Sequence, residues 1–268
     1  MNNFAALDLN ISIASSELFK IGGFSVTNAM VTGLVGGVIT FLILLYVGMS
    51  VRRGRYNRFV GLVQWVFEGL LNQIDGVVPD KKLARKITPL AVTIFFTVLF
   101  NYWLSVLPGL ESIHWHGAPV LRSLTADLNF TLGLAIITMV TVQAYAIKHL
   151  GVFGNGGRYF RNPLKDPIGS FEGILELIGE VSRGSALALR LFGNAFAGEV
   201  LLIVIAALTN YFASVTLPFF MAFELFIGFI QAYVFFILTL IFTALAQESH
   251  ASPDHSPAVQ SDVVRQQE

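Results

Sequence analysis

The sequence predicts an all-α integral membrane protein with five membrane helices, the last two a long tilted hairpin, plus one interfacial amphipathic helix. Composition is the first reason. Hydrophobic residues make up 54% of the chain and charged residues 13%, with a mean hydropathy of +0.69, whereas a soluble chain needs far more polar surface. The second reason is that three apolar runs are long enough to cross a hydrocarbon core, which takes about 20 residues. The third is Arg190, set inside the apolar stretch Ser185-Ala-Leu-Ala-Leu-Arg-Leu-Phe-Gly-Asn-Ala-Phe-Ala-Gly-Glu-Val200. A guanidinium there cannot neutralise itself by losing a proton, so its charge has to be used.

Residues 31–49, 90–107 and 128–147 read as three membrane spans. Between the first two, residues 56–75 carry Asn57, Gly61, Gln64, Glu68, Asn72 and Asp75 in steps of three or four. Phe59, Val63, Val66, Phe67, Leu70 and Ile74 fill the other face. That period describes a helix lying in the interface. Residues 171–208 and 217–247 read as helices of about 38 and 31 residues, near 57 and 46 Å long against a hydrocarbon core of about 30 Å. They must tilt steeply, bend or break. The turn between them, around Thr209 and Asn210, is uncharged, and Pro218 is placed near the first turn of the second helix, where proline is tolerated.

Arginine and lysine orient the chain. Arg52, Arg53, Arg55, Arg58, Lys81, Lys82, Arg85 and Lys86 lie between the first two spans, and Lys148, Arg158, Arg161 and Lys165 follow the third. The positive-inside rule makes these cytoplasmic. Only Lys20 and Arg122 fall in the segments assigned outside. The expected organisation is an outer amino-terminal arm (1–30), a membrane domain (31–248) with an interfacial helix (56–75) and a long helical hairpin (171–247), and a disordered cytoplasmic tail (249–268). The first thirty residues lack the charged n-region and cleavage pattern of a secretory signal. Zero net charge excludes a basic nucleic-acid footprint, and the absence of cysteine excludes disulfides and thiolate metal sites. No internal repeat of the inverted-transporter kind is visible.

The hairpin concentrates the polar residues: Glu172, Glu176, Glu180, Arg183, Arg190, Asn194 and Glu199 on one helix, Glu224 and Gln231 on the other. Residues facing each other across an antiparallel hairpin have position numbers that add to a near-constant. Pairing Glu199 with Glu224 and Arg190 with Gln231 both place the turn near residue 211, where the turn signal lies. One register therefore sets two carboxylates at one level and the arginine beside an amide roughly 13 Å deeper. Glu172, Glu176 and Glu180 recur every four residues as a second acidic ladder. An arginine between two carboxylate clusters is what a two-part ion path requires, since a fixed cation at mid-depth repels protons and metal cations alike. Asp127 and Asn129 could extend the outer cluster. Ser185, Ala186, Ala188, Gly193, Ala197 and Gly198 permit close approach of another helix around Arg190.

Plainer readings stand beside these. Glu180 and Arg183 are spaced as a helical ion pair, Glu172 as a solvated residue of a helix's first turn, and Arg190 could salt-bridge a neighbouring helix. Glu111, His114 and His116 offer metal-like ligands on a short loop without further partners. Residues 151–157 are glycine-rich, follow a helix and lack a phosphate-binding lysine, which reads as a flexible loop.

Leu189-Arg-Leu-Phe-Gly-Asn194, then Ala197-Gly-Glu199, then Gln231-Ala-Tyr-Val-Phe235 closely resemble the signature of subunit a of the F-type ATP synthase. Thr125-Ala-Asp-Leu-Asn129 and residues 101–108 look like the family's other recurring segments, and the resemblance covers most of the chain. It implies a non-catalytic stator presenting Arg190 to a rotating c-subunit ring, each c subunit carrying a mid-membrane carboxylate. Asn194 and Gln231 would hold or solvate Arg190. Glu199, Glu224, Asp127 and Asn129 would line the outer half-channel, and Glu176 with Glu172 or Glu180 the cytoplasmic one. It implies as partners the c-ring, b-type peripheral stalk subunits, the remaining ATP synthase subunits and the lipid bilayer, with no cofactor and no nucleic acid. The place is a bacterial plasma (inner) membrane, amino terminus outside and carboxyl terminus cytoplasmic. Two positions depart from the family pattern: Gly184 stands where proline is common, and Glu224 where histidine is sometimes found. The rival reading is an independent secondary transporter or channel that uses Arg190 to bind an anion.

Overall fold

The computed structural model describes residues 15–78, 80–107, 114–115, 118–119, 122–159, 167–209 and 212–246. Within them the chain forms a short antiparallel hairpin, β1 (Glu17–Ile21) and β2 (Phe24–Thr27), followed by α1 (Asn28–Arg52), α2 (Arg58–Val77) and α3 (Lys81–Val106). A two-residue ladder, β3 (His114–Trp115) with β4 (Ala118–Pro119), precedes α4 (Leu128–Tyr159), α5 (Pro167–Thr209) and α6 (Ala213–Leu245). Five of the helices are long and apolar enough to cross a membrane. The chain is an all-α, multi-pass integral membrane protein.

Local chemistry sets the helix starts. The Thr27 hydroxyl caps α1 by accepting from the Met30 N–H, and the Asp80 carboxylate caps α3 by accepting from the Lys82 N–H at 2.9 Å. Along the spans, the hydroxyls of Thr40, Thr88, Thr138, Thr239 and Thr243 each donate to the carbonyl four residues back. No hydroxyl at these positions is left to the hydrocarbon, where it would be costly. α2 buries Val60, Val63, Leu70 and Ile74 on one face and exposes Phe59, Leu62 and Trp65 on another. That is an interfacial helix laid on the bundle by its apolar stripe.

α3 is the central post. It packs on α6, α1 and α2, and Phe95 stands edge-on to Phe96, Phe229 and Phe236, with ring centroids 5.2 to 6.2 Å apart. α4 lies along α5, and α5 along α6. Close approach rests on glycine: a Cβ at Gly36 of α1 would run into the Asn101 side chain of α3.

Several expectations are corrected. Residues 151–157 are not a loop; α4 continues through them to Tyr159 across a kink at Gly151, whose φ of 78° a side chain would strain. α6 begins at Ala213, so Pro218 lies inside the helix and not near its first turn. At Gly184, where the family often has proline, α5 runs on from Pro167 to Thr209, and a Cβ there would stand 3.1 Å from Met139 Cγ of α4. Arg183 does not pair with Glu180 but lies 5.8 Å from the centroid of the Phe242 ring. Glu111, His116 and the tail 249–268 lie outside the described residues.

The α1–α3 contact predicts a contrast within one helix. Gly36→Val should lower the thermal stability of the detergent-solubilised complex by an amount equivalent to about 1–3 kcal/mol, the usual cost of overpacking. Gly37→Val, where a Cβ would meet nothing within 4 Å, should leave the midpoint unchanged. Equal midpoints for the two variants would contradict the packing.

Candidate functional site: two carboxylate cavities about an arginine

α5 carries Arg190 on an exposed stripe. Leu187, Ala188, Leu191, Ala195 and Gly198 are buried, while Ser185, Ala186, Leu189, Arg190, Asn194 and Ala197 are exposed. The buried set follows the helical period and glues α5 to α4 and α6. The small residues among the exposed set leave a shallow face around the guanidinium. Arg190 makes no ion pair or hydrogen bond within the described residues.

One turn along α5, the Asn194 side-chain N–H donates to Gln231 Oε1 of α6 at 2.8 Å. Gln231 is 2% exposed, and its own Nε2 is buried without an acceptor within the described residues. The hairpin register is therefore the expected one to within a turn: Asn194 makes the direct contact with Gln231 that the numbering had set opposite Arg190.

Toward the α5–α6 turn lies a cavity of about 290 Å³ whose polar lining is Tyr102, Ser105, Ser123, Glu199 and Glu224. α3, α5 and α6 each supply one face. The Tyr102 hydroxyl donates to Glu224 Oε1 at 2.5 Å, and Arg122 Nε lies 3.6 Å from Glu199 Oε1. Glycine makes room for the Tyr102–Glu224 pair. A Cβ at Gly198 would collide with the Glu224 carboxylate, and one at Gly228 would stand 2.5 Å from the Tyr102 ring.

Glu199 and Glu224 thus share a cavity, as their register implied. Asp127 and Asn129 do not line it. Asp127 occupies the N-cap position of α4, accepting from the Asn129 N–H at 2.8 Å and from the Ser15 hydroxyl at 2.5 Å, and Asn129 is exposed. Arg122 and Tyr102 went unrecognised in the sequence: the first is a lone cation in a loop, the second one aromatic among many in an apolar run.

At the other end of α5 a second cavity, of about 380 Å³, is lined by Glu172, Glu176, Glu180 and Arg183 with apolar residues of α4 and α6. All three acidic-ladder residues reach it. Gln143 of α4 donates to Glu180 Oε2 at 2.5 Å and to the Tyr159 hydroxyl at 2.9 Å, while the Asn155 amide donates back to Gln143 Oε1 at 3.1 Å. The helical extension past Gly151 is what brings Asn155 and Tyr159 there. Along α5, Arg190 stands about 15 Å from Glu180 and about 13 Å from Glu199, at about 1.5 Å per residue.

A family model described as ATP synthase A chain matches residues 11–244. The chain belongs to that family. It is 32% identical over 229 residues to ATP synthase subunit a of Mycobacterium tuberculosis, covering 83% of this chain and 87% of the relative. To ATP synthase subunit a of Desulforamulus reducens it is 34% identical over 214 residues, covering 77% and 75%. To that of Aliivibrio salmonicida it is 31% identical over 238 residues, covering 85% and 87%. Membership makes it the membrane-embedded stator component of an ATP synthase.

The Asn194–Gln231 bond fixes a checkable register. Cysteines placed at these two positions in the assembled complex should be joined by a reagent about 8–10 Å long, the separation of packed helices. Failure of that pair to cross-link would contradict the α5–α6 packing.

Proposed function

We propose that the chain is the ion-translocating stator subunit of a rotary F-type ATP synthase in a bacterial plasma membrane, with two proton half-channels separated by Arg190. One observation supports this above the rest: an exposed guanidinium without a partner within the described residues, on an apolar helix, flanked on the same helix by two carboxylate-lined cavities. An isolated cation in hydrocarbon costs at least about 2.5–3.5 kcal/mol. A carboxylate on a passing rotor subunit would supply the missing counter-charge.

In this reading the Glu199–Glu224 cavity opens outward and the Glu172–Glu176–Glu180 cavity opens to the cytoplasm. That orientation follows the basic residues at the α1–α2 turn and the start of α3. A rotor carboxylate arriving protonated at the cytoplasmic side meets Arg190, which favours its ionised form, and its proton leaves through the cavity bonded by Gln143. Past Arg190 the carboxylate is reprotonated from the outer cavity. The unpartnered Gln231 Nε2 is a further donor for it. Because Arg190 stands between the cavities, water cannot carry protons directly from one to the other. Each charge moved across 100 mV delivers about 2.3 kcal/mol, so several ions pass per ATP made in the catalytic part of the complex. The partners are the c-subunit ring, the b-type peripheral stalk subunits and the remaining synthase subunits. The chain itself is non-catalytic.

Arg190→Ala is expected to leave the complex assembled, scored by co-purification of the ring, and to reduce ATP-driven proton pumping in membrane vesicles to background. Arg190→Lys should fail as well, because an ammonium lacks the planar fork and can deprotonate when desolvated. Wild-type pumping in either variant would overturn the stator reading. Proton conduction by the purified chain alone in liposomes would favour an independent channel.

A further inference from the structure

α1, α2 and α3 enclose a third cavity, of about 770 Å³, which shares no residue with the two carboxylate cavities and is larger than either. Its walls are apolar: Val47 and Val51 of α1, Val63 and Phe67 of α2, Pro89 and Val92 of α3. Sites for organic ligands have this size and character, about 300–1,000 Å³ and mostly apolar with a few placed polar groups. The cations of the lining stand together at one end. Arg52 is in the last turn of α1, and Arg85 is in the second turn of α3. From them the lining runs back to Leu44 and on to Thr93, about 12 Å along each helix toward the middle of the membrane domain. Neither guanidinium makes an ion pair or hydrogen bond within the described residues. The one acidic residue of the lining, Glu68, is engaged on its own helix, its Oε1 accepting from Gln64 Nε2 at 2.9 Å. Two cations and one carboxylate leave a single positive charge. The positive-inside rule accounts for basic residues at this end of the spans, but not for two of them bordering one apolar cleft.

We propose that this cleft is a binding site for one anionic phospholipid, its phosphodiester held between Arg52 and Arg85 and one acyl chain laid along the walls toward Leu44 and Thr93. A phosphodiester carries one negative charge, equal and opposite to that of the lining. A guanidinium meets phosphate oxygens through parallel N–H donors, so two arginines can grip one headgroup from the facing ends of α1 and α3. A basic pocket between membrane helices at the level of the headgroups is where such lipids are recognised. A free phosphate would use the arginines and leave the apolar walls empty, and a neutral lipid would fill the walls and leave the positive charge uncompensated. Gly48 of α1 keeps the cleft open, since it lines the cavity and a Cβ there would meet nothing within 4 Å. The lipid would then fasten α1 to α3 where the protein leaves a gap. The site lies apart from Arg190 and does not depend on the stator reading.

The probe is phosphatidylglycerol with a photoactivatable diazirine midway along one acyl chain, added to the detergent-solubilised assembled complex. The neutral control is phosphatidylcholine labelled in the same way. Irradiation should attach phosphatidylglycerol to peptides covering 44–51 and 88–93 at least about fivefold more than phosphatidylcholine, the discrimination that one charge near a membrane surface supplies. Arg52→Gln and Arg85→Gln should each lower the phosphatidylglycerol adduct about fivefold. Lys81→Gln removes a nearby charge that does not line the cleft and should leave the adduct unchanged. Gly48→Leu places a side chain in the open space and should lower the adducts of both lipids, with the ring still co-purifying. Excess inorganic phosphate should not displace the lipid. Equal labelling by the two lipids in the wild-type complex would overturn the proposal and make the cleft a gap that any lipid fills. So would an adduct insensitive to both arginine variants, or one lost equally in Lys81→Gln, which would mean attraction to the surface in general. Displacement by inorganic phosphate would make it an anion site without a chain. No adduct in either segment with either lipid would mean that the cleft is closed or filled by a protein helix, and would also overturn the proposal.

Discussion

A guanidinium that cannot lose its charge, placed in the apolar middle of a membrane helix, is the constraint around which the rest of this protein is arranged. Arg190 has no counter-ion within the described residues, and the face it stands on is exposed and lined with small side chains. Bulky residues there would keep a partner helix away. The opposite face of α5 is packed by Leu187, Leu191 and Ala195, so the arginine is carried on a rigid element and cannot fold back into the bundle. An exposed cation on a rigid apolar face is unstable alone and satisfied only by an outside anion.

The same constraint explains why the carboxylates sit where they do. Ionisable groups in a membrane domain are tolerable beside water or a partner. Both acidic clusters border cavities, one near each end of α5, about three helical turns from Arg190. α3 makes the first cavity possible by supplying Tyr102 and by spacing α6 through its phenylalanines. α4 makes the second by bending at Gly151, so that Asn155 and Tyr159 return to Gln143 and hold Glu180. At each cavity one polar bond joins different helices, Tyr102 of α3 with Glu224 of α6 and Gln143 of α4 with Glu180 of α5, and these resist the separation that a rotating partner would impose.

Much of this was legible in the chain. Each membrane helix announces itself by a long apolar run, α2 by its period, and the hairpin register by two polar pairs that agree on one turn. What was lost depends on contacts distant in sequence. Arg122 is a lone basic residue in a loop whose partner lies on α5, and no local pattern joins the two. Tyr102 is a single hydroxyl in a run of aromatic and aliphatic residues. The glycines after the Gly151 kink are poor helix formers, and Gly154, Gly156 and Gly157 are helical where Asn155 and Tyr159 bond back to Gln143, a tertiary effect that overrides propensity. Asp127 carries a second, local signal: an aspartate immediately before an apolar run is a helix N-cap signature, and it caps α4 by accepting from the Asn129 N–H.

The central claim, two aqueous compartments kept apart at Arg190, is tested most directly by sided chemical labelling. The sequence contains no cysteine, so single cysteines report without background. They would be placed at Ser105 and Leu202 in the Glu199–Glu224 cavity and at Val142 and Leu175 in the other. A membrane-impermeant thiol reagent applied to the assembled complex in sealed vesicles should modify the first pair from the outer face alone and the second pair from the cytoplasmic face alone. Labelling of either pair from both faces would mean one continuous pore, and would contradict the account.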